Sequence, residues 1–236
     1  GGGSYGGSGS GGLNGGLAGT VYGDESISDL VGGSGGGHTI IGSGDAGGGG
    51  GALGFVVDGS FTLEANASLS ANGGTGRSHP DGSGAGGSGG GAIELVAHGA
   101  GLLKLNTGSK ITVNGGDTVH GNDSGGGGAG GSIKLVGGSI ENNGELQARG
   151  GGLEPGGIAY MDGTGGRIAF DSNGTIKIGT YDLSGHSKSA HNTWELQRYP
   201  FLDGTLALKG DSGVNDLSYA SGTLTIDTSA ARKRVE

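Results

Sequence analysis

A chain of 236 residues with 66 glycines, three prolines, no cysteine and 5% aromatic residues lies far from the composition of an ordinary globular domain. So few prolines and no G-X-Y period exclude collagen, and the lack of cysteine excludes disulfides and thiolate metal sites. A formal net charge of −9 with no basic stripe argues against nucleic acid as a partner, and no apolar run of the length of about 20 residues needed for a transmembrane helix is present.

The first segment, 1–50, is the richest in glycine; only Val21–Tyr22, Ile27, Leu30–Val31 and Thr39–Ile41 interrupt the small residues. It reads as extended, polyproline-like glycine segments joined by turns. Residues 51–180 carry a repeat. Its anchor is a glycine pair followed by a small or polar residue and an aliphatic one, at Leu53, Ile93, Ile133 and Ile168. A period near 40 residues belongs to repeat architectures. Within each repeat the apolar residues alternate with polar ones: Ile93, Leu95 and Ala97; Leu103 and Leu105; Ile111 and Val113; Ile133 and Leu135; Ile168 and Phe170; Ile176 and Ile178. Period two predicts short strands with one aliphatic and one polar face. Asn-Gly and Gly-Gly pairs predict the turns. Residues 181–204 break the pattern and hold the single tryptophan, so they read as an aromatic insertion. Residues 205–236 return to strand at GTLALKG and GTLTIDT, expected to close the sheet, and end in the basic tail Arg232-Lys233-Arg234. The expected fold is all-β, a glycine-rich parallel β-solenoid with extended glycine segments and no helix.

The order of motifs extends this reading. GGGSYGG at 1–7, Tyr22-Gly23-Asp24, GGSGGG at 32–37, GGGAIEL at 89–95, ITVNGG at 111–116, GGSIKL at 130–135 and GGRIAF at 165–170 follow one another. Together they resemble a glycine-rich region of very large secreted or cell-surface proteins, with the shafts of filamentous haemagglutinin-like adhesins as the nearest analogue. The resemblance covers residues 1–180 and implies an extracellular or cell-surface location, a structural role in a filament, appendage or surface layer, and no catalytic residues. The insertion at 181–204 departs from it.

Candidate chemistry is sparse. The glycine loops lack the lysine and the following helix of a phosphate cradle. The turn Asn114–Asp123 resembles a single calcium-binding nonapeptide, but each such ion is held between tandem copies, so no metal is expected. The six histidines show no ligand spacing. The carboxylates, among them Asp58, Glu94, Asp117, Glu141 and Asp171, are scattered rather than paired for glycoside hydrolysis. No catalytic residue and no cofactor is expected. Asn66, Asn122 and Asn173 stand in N-x-[ST] sequons and are candidate glycosylation sites. Tyr181, Trp194, Tyr199 and Phe201 could supply stacking surface for a partner or a glycan, which makes a carbohydrate-binding or adhesive module the alternative reading. One repeat cannot bury its aliphatic face alone, so self-association is expected, as a homopolymer joined head to tail.

Overall fold

The computed structural model describes residues 2–12, 17–22, 27, 29–38, 45–77, 84–119, 125–154, 162–172, 174–177, 180–182, 205–210, 217–220 and 223–227. Among them there are strands and no helix. The first repeat supplies β1 (Ala52–Asp58), β2 (Phe61–Leu63) and β3 (Ser68–Ser70). The second supplies β4 (Ala92–Leu105), β5 (Lys110–Thr112) and β6 (Thr118–Val119), and the third β7 (Ser132–Asn142), β8 (Glu145–Gln147) and β9 (Leu153–Glu154). Then follow β10 (Arg167–Ser172), β11 (Thr175–Lys177), β12 (Thr180–Asp182), β13 (Thr205–Gly210), β14 (Leu217–Ala220) and β15 (Thr223–Asp227).

The repeat anchors are in register across parallel strands: Leu53 lies opposite Ile93, Ile93 opposite Ile133, and Ile133 opposite Ile168. The second halves follow suit, with Phe61 opposite Leu103 and Leu103 opposite Ile140. A register shift between Ala97 and Leu102 separates the two halves of β4. A four-stranded sheet, β3-β5-β8-β12, lines up Leu69, Ile111, Leu146 and Tyr181 at its parallel pairings. Ile93, Leu95, Leu103, Leu105, Ile111, Ile133, Leu135, Ile140, Leu146, Ile168, Phe170 and Ile176 form one buried cluster drawn from both sheets. Because the aliphatic anchors pair with one another, the apolar faces of these parallel strands fall on the same side.

The solenoid expectation is overturned. The strands do not wind into a closed coil. They lie in open sheets, a nine-stranded one, the four-stranded one and the short β6-β9 ladder. The large sheet is mixed: β15 runs antiparallel to β11, and β14 antiparallel to β15, while β13 adds parallel to β10.

The glycine runs pair with one another through their backbones. They form a bundle of extended segments. Consecutive N–H groups of residues 86–91 donate in rotation to three neighbours: Gly86 to Gly37, Gly87 to Gly126, Ser88 to Gly74, then Gly89 to Ser34, Gly90 to Ala129 and Gly91 to Ala71, at 2.7–3.1 Å. Carbonyls of the same segment accept in the same rotation, from Gly47, Gly3, Gly116 and again, at Gly89, from Gly50. A partner that recurs every third residue is the signature of an extended helix with three residues per turn, which has no internal hydrogen bonds and must satisfy its backbone elsewhere. Residues 84–91 thus sit among six neighbours. Residues 125–131 do the same, donating to Gly116, Gly3, Thr164 and Val113 and accepting from Gly87, Ser10, Gly151 and Gly90. At the glycines such packing leaves no room for a side chain. A Cβ on Gly87 would lie 1.9 Å from the Gly116 oxygen, and one on Gly90 2.0 Å from the Val113 oxygen. Glycine is required there by close approach, since neither residue has positive φ.

Candidate functional site: the outer face and the first repeat

Side chains that could do chemistry lie on the outward faces of the sheets, and there they neutralise one another. Glu94 faces Lys134 one strand away at 3.1 Å, Lys104 faces Glu141 at 3.5 Å, and Lys110 faces Glu145 at 3.2 Å. Each pair occupies opposed positions in the ladder, where opposite charges stabilise by roughly 0.2–1 kcal/mol. The Glu141 carboxyl is held below the usual range, first by the Asn143 side-chain amide, then by Lys104 and Lys177. This is the pattern of a structural ladder: every one of these carboxylates is matched with a cation, not with a second carboxylate.

A strap crosses the same outer face. Arg167 on β10 reaches the Tyr22 carbonyl (3.4 Å), Lys134 on β7 donates to the Ile27 carbonyl (3.0 Å), and the Leu30 side chain covers Gly54 on β1. Ile27 is buried with φ of 51°, an unusual value for a β-branched residue. Two tyrosines fasten this strap to the glycine bundle. Tyr5, 1% exposed, stacks on Tyr22 at 5.0 Å and donates its hydroxyl to the Asp29 carbonyl, and the Tyr22 hydroxyl donates to the Gly32 carbonyl at 2.6 Å. Burial, then the neighbouring Tyr5, raises the Tyr22 pKa above its ordinary value of 10.0. The neutral phenol is therefore the folded form. Its contribution is complete below the unfolded pKa and is lost as pH climbs through the higher folded one. The melting temperature of wild type should fall above about pH 10, and the gap to Tyr22→Phe should narrow over that interval. A gap that stays constant from pH 8 to 11 would contradict the assignment.

Of the residues singled out by sequence, Asn66 is exposed at the tip of the turn between β2 and β3, with φ of 63°. Asn122 and Asn173 lie outside the described residues, as do Trp194, Tyr199 and Phe201 and the histidines at 79, 120, 186 and 191. Tyr181 is placed only by its backbone, in β12 opposite Leu146. In the calcium-like turn, the side chains are engaged by backbone: Asn114 Oδ1 accepts from the Arg149 N–H (2.9 Å) and Asp117 Oδ1 from the Gly152 N–H (3.0 Å). No group of three His, Asp or Glu side chains converges among the described residues. Nor is any helix there long and apolar enough to cross a membrane.

What the sequence reading missed is the asymmetry of the molecule. Residues 45–77, the first repeat, are largely exposed, whereas 84–119 are largely buried. Among the described residues β1, β2 and β3 each pair on one side only, with β4, β4 and β5. The signal was present at Gly54, which stands where the neighbouring repeats carry Glu94 and Lys134 and so leaves the first repeat without a member of that charged ladder. No family model, no curated protein and no solved structure matches the chain.

Proposed function

We propose that this chain is a non-catalytic structural module of the cell exterior, a segment of a surface layer, appendage or filament, whose work is to hold shape. The rotation of hydrogen bonds along residues 86–91 carries the reading. Nearly every backbone group of the central segments is consumed by a neighbouring segment, and the aliphatic side chains of the strands are consumed by stacking. The polar side chains of the ladder are matched within the sheet. A molecule so arranged resists deformation along two lattices at once, and glycine makes the second lattice possible because backbone can meet backbone.

Hydrogen exchange tests this. The amides of Gly86 to Gly91 and Gly128 to Gly131 should exchange only through global opening, as slowly as those of Ile133 and Leu135. Fast exchange of the glycine amides beside slow exchange of the strands would mean that the glycine runs are linkers, and would remove the basis for a load-bearing role.

A further inference from the structure

We infer that the open edge of β1 is the seat of a second copy of this chain, paired antiparallel about a two-fold axis at Phe55. The Ala92 N–H donates to the Gly51 carbonyl, so the odd-numbered residues 51, 53, 55 and 57 direct their backbone groups at β4. Alternate residues of a strand point the other way. Ala52, Gly54, Val56 and Asp58 therefore present their N–H and C=O groups to the free edge, an available template for another strand.

The edge is complementary to itself. Antiparallel pairing about Phe55 sets Gly54 against the second copy's Val56, and Ala52 against its Asp58, as hydrogen-bonded pairs. Phe55 then meets its own counterpart at a non-hydrogen-bonded position, where side chains come closest. Phe55 is 38% exposed and Val56 61% exposed, although both align with buried positions in β4, Leu95 and Val96. Leu30 and Val31, 36% and 37% exposed, accompany them, and Leu30 already lies over Gly54. In the pair, the second copy's Val56 lands beside Leu30, and the half-buried Leu53, Val57 and Phe61 gain cover.

The rest of the chain decides between a closed pair and an open polymer. At the far side of the stack, β13 already covers β10, and the antiparallel β15 and β14 already follow β11. Beyond β11 a parallel edge would meet a hairpin of the opposite sense, and β13 alone keeps the parallel sense, so head-to-tail growth finds only part of its surface matched, whereas the β1 edge matches itself. A surface that is its own complement makes a closed two-fold dimer. This inference stands independently of the structural role proposed above.

The chain has no cysteine, which makes the test direct. Residues facing each other at a non-hydrogen-bonded position have Cα atoms about 4.5 Å apart, within the range a disulfide spans. Phe55→Cys should therefore form a disulfide-linked dimer under mild oxidation, and Val56→Cys, which faces Gly54 of the other copy, should not. By light scattering the wild type should have twice the 22.4 kDa chain mass, and Val56→Lys should have the single mass with an unchanged strand-type circular dichroism spectrum, because that side chain is exposed in the isolated chain, while its melting temperature, unlike that of the wild type, should not vary with protein concentration. A monomer at all concentrations, a ladder of growing masses, a Val56→Lys dimer, or equal cross-linking of the two cysteine variants would each overturn the inference.

Discussion

Gly87→Ala should be among the most damaging single-methyl additions this chain can receive, lowering stability by about 3 kcal/mol or more. The added Cβ would sit 1.9 Å from the Gly116 oxygen and 2.7 Å from the Asp117 oxygen. Both are backbone atoms, and neither can rotate away. Relief requires residues 113–118 to move outward, and those residues hold the bundle together. The Gly116 N–H donates to Ser88 and its carbonyl accepts from Gly128, while the Gly87 N–H donates to Gly126 and its carbonyl accepts from Gly3. Displacing one segment therefore loosens hydrogen bonds to several others, which is why the cost exceeds the roughly 1–3 kcal/mol of ordinary overpacking. Gly48→Ala supplies the comparison. A Cβ there meets nothing within 4 Å, Gly48 does not have positive φ, and loss of glycine freedom in the unfolded chain should leave stability unchanged or raised by about 0.4–1 kcal/mol. Denaturant melts of the two variants read the difference. If both behave alike, the bundle does not pack as described.

The strands were legible for a physical reason, and the bundle was illegible for another. Period two is written in side chains: Ile93, Leu95 and Ala97 against Glu94 marks a two-faced strand, and recurrence at Ile133 and Ile168 marks the partners. The structure pairs those residues in register. The bundle has a period of three, but it is a period of N–H and C=O directions, and glycine has no side chain on which a pattern could be written. GGSGG at 86–90 carries nothing that names its six neighbours. Closure of the coil was misjudged for a related reason. GTLALKG and GTLTIDT look alike in period two, yet the first runs parallel to β10 and the second antiparallel to β11; alternation records which face is buried and not which way the strand runs. Tyr5 and Tyr22, the two tyrosines of the glycine-rich segment 1–50, were the trace the strap left in the sequence. Among the proposed partner-contact residues only Tyr181 has a described backbone, and Trp194, Tyr199 and Phe201 lie outside the described residues.

Ile133→Asp should be at least as severe as the glycine change, about 4 kcal/mol or more, and should abolish folding if the chain is only ordinarily stable. Ile133 is fully buried and lies between Ile93 and Ile168 in the centre of the parallel stack. Its backbone N–H and C=O are already committed to the ladder with β10, so it offers a buried carboxylate no donor, and the residues paired with it on either side, Ile93 and Ile168, are aliphatic. Such a charge is either neutralised at a raised pKa or expelled with the strand. The neighbouring Lys134 faces the other side, which from alternation alone would make Lys134→Asp mild. The structure places it between Glu94 at 3.1 Å and the Ile27 carbonyl at 3.0 Å. Aspartate there opposes like charge directly and releases the strap, so a loss of about 1 kcal/mol is expected, while Lys134→Met, which keeps the stem and removes only the charge and the donor, should lose less. The order Ile133→Asp, then Lys134→Asp, then Lys134→Met, measured by the denaturant midpoint, follows from the depth of each side chain. A Lys134→Asp variant as unstable as Ile133→Asp would place both side chains in the core and contradict the alternation on which the sheet is built.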